Sequence, residues 1–180
     1  MSSKYAKDEY NGYDRFLSGM REYLQTDHEY NFTFFIAGDD KEGFESMLDS
    51  HLKKNIEIQY LGFQTIAELN QLIPNIDVGI NDLAFHRKGL QEANTLKTID
   101  FLAWRVPFLI SHKDVNIKSE DSYYLKVPED ESAIKIQDMI KFLNQINNND
   151  IVQMEKRALE ITLEERIKEF IKFLNKEIDV

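Results

Sequence analysis

Residues 85–107 read FHRKGLQEANTLKTIDFLAWRVP, placing two acids, Glu92 and Asp100, eight positions apart across the junction of a loop and a helix. Upstream, residues 77–81 (DVGIN) read as a short buried strand. Downstream, residues 96–103 (LKTIDFLA) read as a helix and residues 108–110 (FLI) as a further strand. A loop that ends on a helix N-terminus turns free backbone N–H groups toward whatever anion sits there. One carboxylate just before that end and another a turn inside suit a ligand with both phosphate and hydroxyl groups, as a nucleotide-sugar has.

Working outward, residues 12–25 carry Tyr13, Phe16, Leu17, Met20 and Leu24 at helical spacing. Residues 32–38 (FTFFIAG) form a buried strand stopped by Gly38, and residues 43–53 a helix through Phe44, Met47, Leu48 and Leu52. Residues 56–61 alternate apolar and polar and end at Gly62, which predicts a strand. Residues 66–73 predict a short helix ended before Pro74, and residues 123–127 a last strand. Strands alternating with helices imply an α/β fold, a Rossmann-like parallel sheet with helices on both faces. The tail differs. Residues 134–146 and 163–174 both predict helices, separated by a break at Asn147-Asn148-Asn149-Asp150, and Leu163, Ile167, Phe170, Ile171 and Leu174 share one stripe. The expected organisation is a single domain over 1–180, with an α/β core to about residue 146 and a C-terminal helical extension over 150–180.

Such sheets bind ligands beyond the carboxyl ends of their strands. That directs attention to the loops after Gly38, Leu61, Asn81 and Ile110. They hold Asp39-Asp40, Gly62-Phe63-Gln64-Thr65, residues 82–94 and His112-Lys113-Asp114. The third is the longest, and long loops in compact domains usually serve function.

Composition narrows the classes. With 180 residues, 42% hydrophobic and 12% aromatic, the chain is globular and large enough for a sizeable core. A formal charge of −10 opposes binding to nucleic acid or to an anionic membrane. The absence of cysteine excludes disulfides, thiol catalysis and thiolate metal sites. The first fifteen residues lack the apolar run of a signal peptide. The cytoplasm is the expected location, with the inner face of the membrane as the alternative for a larger enzyme.

An acid eight residues after a Glu is weak evidence alone, since 32 of the 180 residues are acidic. Order supplies the weight: strand, basic loop, Glu92, helix start, Lys97, Asp100, Ala103, Pro107, strand. This order resembles the donor-binding domain of GT-B glycosyltransferases, specifically the "group 1" family with its E-x7-E signature, and members from bacterial surface-polysaccharide clusters above all. The residues that carry the resemblance are His86-Arg87-Lys88-Gly89, Glu92-Ala93, Leu96-Lys97, Asp100-Phe101-Leu102-Ala103 and Pro107. Asn11-Gly12-Tyr13-Asp14-Arg15, Ile36-Ala37-Gly38, Tyr60-Leu61-Gly62 and Val127-Pro128-Glu129-Asp130 extend it over about residues 11–142.

The resemblance implies the following roles. Glu92 would hold hydroxyls of the donor sugar and Asp100 those of the ribose. Asn94, Thr95, Leu96 and Lys97 would meet the diphosphate at the helix start. Gly62, Phe63, Gln64 and Thr65 would flank the base. Arg15 or Lys97 would stabilise the departing nucleoside diphosphate, and Arg87 would add charge to the donor pocket. Glu92 and Lys97 would thus be the catalytic pair, in a retaining transfer of a sugar to a growing glycan, with neither metal nor other cofactor. The resemblance further implies that the chain starts at or just after the first strand of the family's second domain. The acceptor domain would then be missing, the isolated domain inactive, and the exposed C-terminal helices open to dimerisation.

Three positions depart from the family. Asn11-Gly12 stands where Lys-Gly is usual, Asp100 replaces the second Glu, and Arg105 occupies the place of a helix-ending Gly. The plain reading of Lys97 is a solvated helix residue, and of Arg87 and Lys88 a solvated loop. Two other classes compete. A phospho-acceptor receiver domain would use Asp39, Asp40 and Asp82 with Ser111 and Lys126, but no Met-Pro follows Asp82. A non-catalytic binding module would leave Glu92, Lys97 and Asp100 without a joint role.

Overall fold

The computed structural model describes residues 9–26, 29–38 and 41–178. It is a mixed α/β protein whose strand pairings are all parallel. After a 3-10 turn at Glu9–Asn11 come helix α1 (Tyr13–Leu24), strand β1 (Thr33–Ala37), helices α2 (Lys41–Glu45) and α3 (Ser50–Asn55), strand β2 (Glu57–Gly62) and helix α4 (Ile66–Leu72). Strand β3 (Gly79–Ile80), strand β4 (Glu92–Ala93), helix α5 (Leu96–Trp104), strands β5 (Phe108–Ile110), β6 (Lys113–Asp114) and β7 (Tyr124–Lys126) follow. Helices α6 (Ile136–Leu143), α7 (Asn148–Glu160) and α8 (Leu163–Ile178) complete the chain.

The strands form three groups: β1 with β2, the order β3-β5-β7, and the short pair β4-β6. Strand β5 shows why the layers form. All three of its residues are buried; Leu109 joins the core beneath α1 and α6, while Phe108 and Ile110 join the core beneath α5 and α7. A strand buried on both faces needs such a continuous apolar run. Phe101 of α5 stacks on Phe108 at 5.6 Å, and its ring occupies the space that a side chain at Gly79 would need.

Two predicted helices differ in the structure. The helix expected over 43–53 is two helices, because the Asp49 side chain accepts from Leu52 N at 2.9 Å and starts a new one. The expected break at 147–150 is a helix start: Asn147 and Asp150 form a capping box that opens α7. This helix packs against α5 with Met154 fully buried, so it belongs to the sheet's second face. Arg105 takes the left-handed conformation (φ 58°) despite its Cβ, and its N–H bonds Leu102 O at 3.1 Å to close α5. Its guanidinium then reaches Glu155 of α7 at 2.6 Å. The stripe on α8 is exposed, from Leu163 to Leu174. No helix among the described residues is long and apolar enough to cross a membrane.

Candidate functional site

The end of β3 and the loop after β5 meet at the start of α5. Thr95 caps that helix, its hydroxyl accepting from Thr98 N at 3.4 Å. The Asp114 carboxylate receives Thr95 N at 3.1 Å and the Thr98 hydroxyl at 2.8 Å through Oδ2, and Asn116 N at 2.8 Å through Oδ1. Burial pushes the Asp114 carboxyl upward, but the adjoining His112 ring and the hydrogen bonds from Asn116, Thr98 and Thr95 outweigh it and hold it below its ordinary value. Asn81, at the end of β3, donates to the Thr98 hydroxyl at 2.8 Å. These bonds fix where α5 begins. The N–H groups of Leu96 and Lys97 donate to no acceptor among the described residues.

The Lys97 side chain turns inward. Its ammonium donates to Asp82 Oδ1 at 2.6 Å and to Asn11 Oδ1 at 2.9 Å, and the pair is almost wholly buried. Two of its three donor positions are therefore taken. Asn11 is the second partner of this lysine. Next to it Gly12 has φ 67°, with the backbone of Leu83 and Ala84 under 3 Å from any Cβ there. Only glycine serves at that crossing.

Asp100, one turn further along α5, is half-buried and has no hydrogen bond or ion pair among the described residues. Burial pushes its carboxyl above the ordinary range. Glu92 meets Lys113 at 2.6 Å in an exposed ion pair, of the kind that contributes little to stability and is easily exchanged. Asn94 accepts from Asn116 at 2.8 Å, and Leu96 is 72% exposed. At the end of β2, Gly62 has φ 66° and Phe63 is 74% exposed. Gln64 folds back to the carbonyls of Leu61 and Phe63. Thr65 caps α4 in a capping box with Glu68.

Two of the expected ligand-binding cations have other partners. Arg15 is buried, its Nε donating to Ser132 O at 2.8 Å, Nη2 to Pro128 O at 2.9 Å and Nη1 to Leu83 O. Arg87 bonds both oxygens of Asp14, at 3.0 and 2.7 Å, the Glu9 carbonyl at 2.7 Å and both oxygens of Glu131. Arg87 first, then His86, hold the Glu131 carboxyl down at about 2, so this clamp stays charged at neutral pH. The clamp ties the 85–88 turn to α1, a geometric reason for basic residues there.

Asp82 is buried on Lys97, and Lys126 pairs with Glu129 at 2.7 Å; Asp39 and Asp40 lie outside the described residues. No group of three or more His, Asp or Glu among the described residues is placed to hold a metal ion. Comparison with family models, with curated proteins and with solved structures finds no match to this chain.

No local pattern in the sequence marks the Asn11–Lys97–Asp82 contact or the central place of Asp114; the position of Asp114 in a loop after a strand end is the available signal.

Proposed function

We propose that this chain is the donor-binding domain of a GT-B glycosyltransferase, with a Rossmann-like fold, taking a nucleoside-diphosphate sugar. The observation that carries the reading is Asp100: a half-buried carboxylate with no described partner, one turn from a helix start whose amides at Leu96 and Lys97 are free. An unpaired acid in such a place is costly unless a ligand supplies hydrogen-bond donors, and ribose hydroxyls do so. The free amides meet the diphosphate, and the third donor of Lys97 adds to them. Phe63 offers an exposed ring to the base, and Glu92 exchanges Lys113 for hydroxyls of the sugar. Arg15 and Arg87 are left out of the donor pocket, because their donors are taken by carbonyls and carboxylates. Transfer with retention, to a glycan held by a separate acceptor domain, completes the reading. The isolated domain binds the donor without transferring it, since nothing positions an acceptor.

Calorimetric titration with nucleoside diphosphates and their sugars tests this. Asp100→Asn should weaken both kinds of ligand by about 1–3 kcal/mol, the scale for a charge-assisted hydrogen bond. Glu92→Gln should weaken only the sugar-bearing ones. Stability provides a second readout. A carboxyl raised in the native state holds its proton more tightly than in the unfolded chain. Its ionisation therefore erodes stability as pH rises through and above the ordinary carboxylate range. Asp100→Asn should accordingly raise the Tm of the unliganded protein at pH 7, with the gain shrinking toward pH 3. A variant that keeps nucleotide affinity, whatever its Tm, removes the ribose role.

A further inference from the structure

Helix α8 meets the rest of the molecule through its polar side. Glu165, Arg166 and Glu169 face a cleft against α7 and Val115. Arg166 donates through Nε to Ile161 O at 3.2 Å and through Nη2 to Asn116 Oδ1, and the Thr162 hydroxyl accepts from Glu165 N at 3.4 Å. Glu165 and Arg166 are half-buried, whereas every other described side chain from 163 to 175 is exposed. The apolar stripe therefore turns away from the protein. Leu163, Ile167, Phe170, Ile171, Phe173 and Leu174 are between 40 and 75% exposed. A surface helix ordinarily buries such a stripe in its own core and leaves the polar side in water; here the arrangement is reversed. An exposed apolar patch of this extent marks a contact with another body.

The stripe is its own complement. Leu163, Ile167, Phe170 and Leu174 follow one another at spacings of four, three and four, the seam of a heptad pattern. Read from either end, that series is the same, and a two-fold interface needs one surface that fits itself. In an antiparallel pair Leu163 of one copy meets Leu174 of the other, and Ile167 meets Phe170. The bulky ring then lies against the smaller side chain in both central layers, with Ile171 and Phe173 flanking the seam. Charge does not oppose the approach, because Lys168, next to the two-fold axis, is held by Glu164 at 2.9 Å and Glu165 at 2.8 Å. Six side chains of this size and exposure offer on the order of 600 Å² per copy, so pairing removes about 1,200 Å² from water, where specific stable interfaces begin. The polar side mixes Glu164, Glu165 and Glu169 with Lys168 and Lys172, without the Lys and Arg excess of a helix that lies on a membrane.

We propose that α8 is a homodimerisation helix: two copies of this chain pair through it antiparallel, Leu163 against Leu174, about a two-fold axis near residues 168 and 169. A parallel pair would set Phe170 against Phe170 and press both bodies together at the one end where α8 begins. The antiparallel pair separates those ends by the length of the helix, about 24 Å for its 16 residues. The inference is independent of the donor reading above.

The test follows the full chain by sedimentation equilibrium. The mass should pass from one copy to two at micromolar concentration. Phe170→Glu should weaken the dimer by roughly a hundredfold or more. It should leave the unfolding midpoint of the dilute monomer unchanged, since the ring is exposed there. The chain has no cysteine, so single introduced thiols report the register. A mixture of Leu163→Cys and Leu174→Cys should oxidise to the mixed disulfide. Neither variant alone should cross-link, because like positions of the two copies lie on the order of 16 Å apart along the pair. Cross-linking of each variant with itself, or none in the mixture, would overturn the antiparallel pair. A chain that stays monomeric at millimolar concentration would overturn the proposal, as would a dimer that Phe170→Glu leaves intact. A monomer that binds phosphatidylcholine vesicles through the stripe would assign it to a lipid surface instead.

Discussion

Lys97→Ala should lower the stability of the protein by about 3–5 kcal/mol, the range for removing one partner of a buried ion pair. The loss comes from Asp82, which the variant leaves charged and buried with its hydrogen-bond partner gone. Asn11 loses its partner on the same ammonium. Guanidinium unfolding reads the effect directly, and Tm should fall on the order of 10 °C for a domain of this length. The double variant Lys97→Met with Asp82→Asn should recover more than half of the loss, because no unpaired charge remains. This double variant is the right background for asking whether Lys97 also meets phosphate. If Lys97→Ala keeps its Tm and loses only nucleotide affinity, the ion pair is incidental and the lysine is a ligand residue first.

Arg15→Ala should have an effect of about 3 kcal/mol, with the buried carbonyl of Leu83 at about 1–3 kcal/mol and the part-buried carbonyls of Pro128 and Ser132 adding less each. Arg15 joins segments remote in sequence: its donors hold Leu83 O, Pro128 O and Ser132 O, and Asp130 lies 3.6 Å away. The three acceptors meet three separate nitrogens of the planar guanidinium, whereas an ammonium would have to gather them around one. Arg15→Lys should therefore rescue only a minor part. Chemical denaturation of the three proteins gives the comparison. Native stability in Arg15→Ala together with lost binding of nucleoside diphosphate would return Arg15 to the donor pocket.

Both expected results concern residues whose type and place were plain in the sequence and whose partners were not. The Lys97 ammonium finds Asn11 across 86 positions, and Arg15 finds Ser132 across 117. Read locally, a lysine in the first turn of a helix is a solvated cation or an anion ligand. Its burial on Asp82 depends on how α5 sits against the end of β3.

The elements that the residues themselves determine are those whose apolar period is long or whose run is unbroken. α1, α5, β1, β2 and β5 lie within a residue or two of where periodicity places them. Short-range chemistry was legible too when its donor was recognised, and misread when it was not. Asn147-Asn148-Asn149-Asp150 has the composition of a break, yet a capping box uses those same side chains to begin a helix. Strand pairing is of another kind. Whether β1 lies beside β3 depends on backbone hydrogen bonds between segments more than forty residues apart, and no side-chain period records them. The sequence alone determined an alternation of strands and helices and the loops where acids and amides gather. Tertiary structure decided that Arg15, Arg87 and Lys97 have partners within the chain, that Asp100 has none among the described residues, and that β1-β2 and β3-β5-β7 pair as separate groups. The physical reason is the reach of the forces: helix and strand periods arise within a few residues, whereas burial and pairing arise only when distant segments meet.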